Sequence, residues 1–293
     1  MQFIAYILVY PILWMVSILP FRLLYLVSDG LYLLMFYIIG YRKKVVKSNL
    51  KLVFPEKSDA EIKTITKKFY HHLCDMFLEM AKTLTISEKQ LKERFKVKNP
   101  EEFQRLEKLN RSVILMFGHY ASWEWSLELQ RHTSFNGLAV YKKLSNKYFD
   151  ALVRRMRSKY NTELISTKET IATITQYENK NIKSIIGFLS DQSPRLSKEV
   201  YWGDFMGITV PCYTGAERLA KKLDLPTAFL KVTKIKRGYY EAELKTLAED
   251  SKSYNDYELT DLFLREVEKQ IDEAPEFYFW THKRWKYKDR KPD

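Results

Sequence analysis

Residues 111–124, Arg-Ser-Val-Ile-Leu-Met-Phe-Gly-His-Tyr-Ala-Ser-Trp-Glu, decide how the rest of the chain is read. The run Val113–Phe117 is wholly apolar and of strand length, which predicts a strand buried on both faces. Gly118 breaks the run and His119 follows at once. Glu124 stands where a helix is expected to begin, with Ser122 as its N-cap. A strand end presenting a histidine, with a carboxylate at the next helix start, is where an open α/β enzyme holds a general base. The spacing is not the three or four residues that share one helix face. His119 and Glu124 therefore meet only across a turn. In that arrangement His119 takes a proton from a substrate hydroxyl while Glu124 fixes its tautomer. No Gly-x-Ser-x-Gly elbow occurs, and neither Cys74 nor Cys212 lies in this segment. Direct attack by a substrate oxygen is expected rather than a covalent enzyme intermediate.

Outward from this strand, apolar periodicity alternates between its two forms. Ser58-Asp-Ala-Glu61 is a capping box opening an amphipathic helix to about Leu84. Helices are expected at 147–160, after Ser166-Thr-Lys-Glu169, at 214–223 and at 259–271. Strands are expected at 138–141, 185–189, 227–231 and 239–244, with 193–213 irregular. Strands alternating with helices predict an α/β domain, a mixed sheet flanked by helices.

A chain of 293 residues buries one substantial core, or one domain plus an anchor. Its net charge of +13 points to an anionic partner. Two cysteines make no disulfide framework, which suggests a reducing compartment. Met1 to Phe21 carries no charge and is long enough to span a bilayer. Leu23 to Tyr41 is apolar apart from Ser28, Asp29 and Gly30, and Arg42, Lys43, Lys44 and Lys47 follow. A cleaved signal peptide is not expected, since there is no basic start and no Ala-x-Ala site. Residues 1–41 are read as a membrane anchor, a transmembrane or deeply inserted helix and then an interfacial one. A charge such as Asp29 costs about 2.5–3.5 kcal/mol at a bilayer centre, which argues against a second crossing. The basic cluster puts the α/β domain, 42–293, on the cytoplasmic side.

Four further residues are candidates for substrate contact. Arg157 is a further cation for the site, able to hold an anionic or carbonyl oxygen of a substrate. Asp191 and Gln192 end a buried strand, where open α/β sheets hold ligands. Lys142 supplies a cation after Tyr141. Trp202, Phe205, Met206 and Ile208 are expected to line a groove for an apolar chain. His71, His72, Cys74 and Asp75 fall on different helix faces, so no metal site is read there. The run His282–Lys291 interleaves basic and aromatic residues, for which lipid headgroups or an acidic protein are better partners than nucleic acid.

At His119-Tyr-Ala-Ser-Trp-Glu124 the chain resembles the bacterial lipid A biosynthesis acyltransferases, the late, secondary acyltransferases within the glycerolipid-type superfamily whose hallmark is His-x-x-x-x-Asp/Glu. The likeness continues in order through Arg42–Leu50, Phe54–Glu56, Val140–Leu144, Met156–Ser158, Leu189–Gln192, Phe205–Gly207, Thr214–Gly215 and Pro275–Arg284. It covers essentially the whole chain. The chain departs from the pattern at Lys142, where the family often has arginine; lysine keeps the charge but not the bidentate fork. Asp191-Gln-Ser-Pro-Arg195 is also not the commonest form, which leaves the acceptor open. The resemblance implies a membrane-anchored O-acyltransferase at the cytoplasmic face of the bacterial inner membrane. It implies no cofactor and no metal, with a fatty acyl donor on acyl carrier protein or coenzyme A. The implied acceptor is a hydroxyl of a lipid A precursor; the alternatives are a lysophospholipid, an aminolipid or another glycolipid. A non-catalytic, membrane-tethered basic binding protein is the other class to exclude.

Overall fold

The computed structural model describes residues 2–197 and 199–291. Met1, counted in the uncharged run, and residues 292–293, at the end of the expected α/β domain, lie outside the described residues. Nine strands occur among the described residues: β1 Phe95–Val97, β2 Val113–Phe117, β3 Asn136–Tyr141, β4 Thr162–Ser166, β5 Ser184–Leu189, β6 Tyr201–Phe205, β7 Ile208–Cys212, β8 Thr227–Lys236 and β9 Tyr239–Ala248. Seven form one sheet in the order β1-β9-β8-β2-β5-β3-β4. β2 lies at its centre, parallel to β5 and to β8, which is why all five of its residues are apolar and buried. β8 and β9 pair antiparallel, so the sheet is mixed.

The helices are α1 Gln2–Ile18, α2 Phe21–Leu33, α3 Lys43–Val53, α4 Asp59–Lys82, α5 Glu88–Arg94, α6 Pro100–Lys108, α7 Lys147–Ser158, α8 Thr170–Asn179, α9 Gly215–Leu223 and α10 Glu258–Glu273. The Ser58 capping box forms as expected. Ser58 Oγ accepts from Glu61 N at 3.3 Å, and Ser58 N donates to Glu61 Oε2 at 2.8 Å.

Several elements differ from expectation. The helix after Ser122 is 3₁₀ throughout, Trp123–His132, and Ser122 makes no side-chain cap bond. α8 starts at Thr170 because Ser166 Oγ donates to the Glu169 side chain instead of capping backbone. β8 and β9 run five and four residues past their expected ends, because antiparallel pairing leaves one face wet and admits lysines. The stretch expected to be irregular holds the β6–β7 hairpin. Its turn, Met206-Gly207, has both φ angles positive, the twist a two-residue hairpin wants. Methionine at the first turn position hid that signal.

At the N-terminus, α1 and α2 both pack on α4. α2 continues through a π-helical turn, Leu34–Ile39. The helix long and apolar enough to cross a membrane is Phe21–Ile39, the second rather than the first; Gln2–Ile18 is shorter. Asp29, half-exposed on that helix, pairs with Arg237, from the β8–β9 turn, at 2.6 Å.

Candidate active site

Strand register builds the centre of the site. β2 and β5 run parallel with Phe117 opposite Leu189. Two residues beyond that pair, the chain reaches His119 on one strand and Asp191 on the other. His119 Nδ1 meets Asp191 Oδ1 at 2.7 Å. Gly118 lies between Phe117 and His119: a Cβ there would stand 3.4 Å from Val267 and 3.7 Å from the Asp191 carboxyl carbon, ordinary van der Waals contact. The pair sits at the carboxyl ends of parallel strands, where open α/β sheets place their ligands.

Asp191 is completely buried. Burial alone would raise its carboxyl. The His119 charge and ring bond, with backbone N–H groups, outweigh burial and hold it below the ordinary range. An ionised Asp191 accepts only, so Nδ1 of His119 donates and Nε2 is left for a substrate proton. Asp191 Oδ2 has no hydrogen-bond partner among the described residues. Tyr278 stays protonated: burial first, then the Asp191 charge, pushes its phenol well above the usual value. Burial pushes His282 down to about 4, so it is neutral at pH 7.

The expected partnership of Glu124 with His119 is not the one formed. Both Glu124 oxygens are taken by Arg157 of α7, Nε to Oε1 at 2.8 Å and Nη2 to Oε2 at 2.7 Å. The residue that orients His119 is Asp191, which the sequence placed at a strand end as a substrate contact. The cause is topological: β5 is the neighbour of β2, while the loop from His119 to Glu124 carries Trp123 back against the His119 ring, 5.2 Å between centroids. Arg157 is likewise not a free cation but one half of a forked ion pair. Lys142 is exposed just past the end of β3, and Gln192 is half-buried beside Asp191.

The C-terminal segment closes over this loop. Phe279 N donates to the His119 carbonyl at 3.1 Å, and Ala121 N donates to the Phe277 carbonyl at 3.0 Å. Asn49, from the basic entry segment, donates to the carbonyls of Trp280 and His282, both at 2.9 Å. The expected apolar groove is divided. Phe205 is core, stacked on Trp285 at 5.7 Å. Met206 lines a cleft of 850 Å³ with Phe54, Ile65 and Pro275. Trp202 lines another, of 490 Å³. None of His119, Glu124, Arg157 or Asp191 lines either cleft.

An oriented histidine at the end of the central strand of an α/β sheet, with a forked Glu–Arg pair on the helices that follow, is the arrangement the fold presents. The profile of the bacterial lipid A biosynthesis acyltransferase family matches residues 1–287. The chain belongs to that family, and is an acyltransferase. It is similar to the lipid A biosynthesis lauroyltransferase of Escherichia coli (strain K12), 23% identical over 276 residues, with 94% of this chain and 89% of the relative covered. It is also similar to the palmitoleoyltransferase of the same organism and to the lipid A biosynthesis acyltransferase of Shigella flexneri. Each is 20% identical over 286 residues, at the same coverage.

Proposed function

We propose that the chain transfers a fatty acyl group from a thioester, on acyl carrier protein or coenzyme A, to a hydroxyl of a lipid A precursor. The 2.7 Å bond from His119 to Asp191 carries this reading. It commits Nδ1 and leaves Nε2 to take the acceptor hydroxyl's proton. The hydroxyl oxygen then attacks the thioester carbonyl. A new C–O bond forms, the C–S bond breaks, and the imidazolium returns its proton to the leaving thiolate. A thiol of pKa about 8.5 leaves with little acid assistance, which suits so small a constellation. Glu124 holds Arg157 by Nε and Nη2, which leaves Nη1 to meet an anionic oxygen, the acceptor's phosphate or the carbonyl as charge develops. Lys142 and Gln192 stand as further acceptor contacts. The division of labour is residues 1–41 at the membrane and 42–293 as the acyltransferase domain, on the cytoplasmic face of a bacterial inner membrane.

Mass spectrometry of lipids from a strain lacking the gene, complemented with wild type or with His119→Ala, tests this. One lipid class should lose a single acyl chain, restored by wild type only, with transfer by the variant down by at least about 10²-fold. Restoration by His119→Ala defeats the role of His119; an unchanged lipid A fraction with a changed lysophospholipid or aminolipid fraction reassigns the acceptor.

A further inference from the structure

The two N-terminal helices each carry an inward stripe at helical spacing. On α1, Tyr6, Tyr10 and Leu13 are half-buried and Ser17 is buried; on α2 and its π-helical turn, Phe21, Leu24, Ser28, Tyr32 and Phe36 are buried. The opposite faces are apolar and exposed, with Leu8, Ile12 and Met15 on one and Leu26, Leu33 and Ile38 on the other.

Both ends of α1 are fastened to the catalytic domain. At the start, Gln2 Nε2 donates to the Ser145 carbonyl at 3.1 Å, and Asn146, the N-cap of α7, donates to the Gln2 carbonyl at 3.0 Å. At the finish, the buried Lys82 of α4 donates to the carbonyls of Ser17 and Leu19 at 2.7 and 2.8 Å. A helix of 17 residues is about 25 Å long, below the ~30 Å hydrocarbon core, and here its two ends touch one domain. α2 with its π-helical turn has the length to cross. Yet Arg237 clasps its middle, reaching Asp29 at 2.6 Å and the Tyr25 carbonyl at 3.2 Å. An arginine from the sheet at that height fixes the helix midpoint at the level of the polar domain. Exposed cations border the apolar face: Lys142, Lys143 and Lys147 beside the α1 start, Arg22 at the α1–α2 joint, Arg42, Lys44 and Lys47 past the end.

We propose that this chain does not cross the bilayer: α1 and α2 lie flat in one leaflet, their outer faces among acyl chains and the bordering cations on anionic phospholipid headgroups. This rests on the membrane reading above and is independent of the acyl-transfer chemistry. It also gives α1 a task at the site. Phe3 and Tyr6 pack on Tyr148 at 5.1 and 5.7 Å, on α7, the helix that carries Arg157, so the leaflet surface and the Glu124–Arg157 pair are two ends of one packed unit.

The test uses the full-length chain with one added cysteine, Gln2→Cys, Arg22→Cys or Lys44→Cys, and Lys63→Cys on exposed α4 surface as the domain marker. Cys74 and Cys212 are buried and give the unlabelled background. A membrane-impermeant maleimide is applied to sealed inverted vesicles and to spheroplasts. All four positions should label from the side of Lys63→Cys. Gln2 alone on the other side means α1 spans; Arg22 alone means a two-span hairpin; Gln2 and Arg22 together mean α2 spans. Each of those overturns the proposal. In parallel, purified protein is floated with vesicles containing phosphatidylglycerol. Leu26→Glu with Ile38→Glu should weaken binding at least tenfold while the melting transition stays in place. Undiminished binding, or a dimer that fails to float because a second copy covers the face, overturns it. No acyl transfer by the wild-type protein, with the labelling as expected, would refute the chemistry and leave the topology standing.

Discussion

At the strand ends, the ion pairs are sparsely furnished: His119 keeps 18% of its side chain exposed, and Asp191 leaves one oxygen unpartnered. Behind α4 the charges are saturated. Asp75 takes Ser28 Oγ at 2.7 Å, Arg237 Nη2 at 2.7 Å and Lys234 at 3.6 Å. Glu79, at its back, accepts from Tyr25 and Tyr240, each at 2.8 Å. Both regions are clusters of buried charge, yet they differ in what remains unsatisfied. Where every carboxylate oxygen has a donor, the charges clamp helices to the sheet. Where a nitrogen is left open at a strand end, the same kind of pair can move a proton.

That contrast is broken most severely at the strand ends by Asp191→Asn. The amide can donate to Nδ1 and so leave the proton on Nε2, removing the base. The expected loss in kcat is about 10²–10⁴-fold with KM and melting temperature nearly unchanged, read by steady-state kinetics and thermal unfolding. An equal fall in stability would make Asp191 a structural residue like Asp75. Asp75→Ala should do the reverse, costing about 3–5 kcal/mol in denaturant unfolding because Lys234 and Arg237 lose their shared anion.

The pH dependence separates the clusters further. Burial, foremost, raises the Glu79 carboxyl from 4.5 to about 7. Between those values the unfolded chain gives up its proton before the folded one does. Stability therefore falls as pH rises through that window and levels off above it. Melting curves of Glu79→Gln should lack this fall, a difference of at most about 3 kcal/mol between pH 4 and pH 8. A parallel pH profile in wild type and variant would show that Glu79 does not titrate there. The smallest effect is expected from Lys142→Ala. An exposed charge contributes under about 1 kcal/mol, so KM for the acceptor should rise no more than about fivefold, with stability within about 0.5 kcal/mol.

The blocks scattered along the chain acquire their meaning only when folded. Asn49 and Trp280 lie 231 residues apart, and their bond at 2.9 Å ties the basic entry segment to the cover over His119. Nothing in the local pattern of either segment signals the other. The hairpin at 201–212 and the three-residue β1 were too short or too oddly composed to register as periodic.

By itself the sequence determined the strand before His119, the capped helix at Asp59, the mixed α/β class and the place of a histidine at the end of the central strand. These follow from apolar periodicity and capping chemistry, which act over a few residues. Which carboxylate orients that histidine was decided by the tertiary structure alone. Glu124 is five positions away and engages α7, whereas Asp191 is 72 positions away and arrives by the parallel register of β2 and β5. Spacing along a chain fixes neighbours only within one element; across elements, sheet order and register choose the partner.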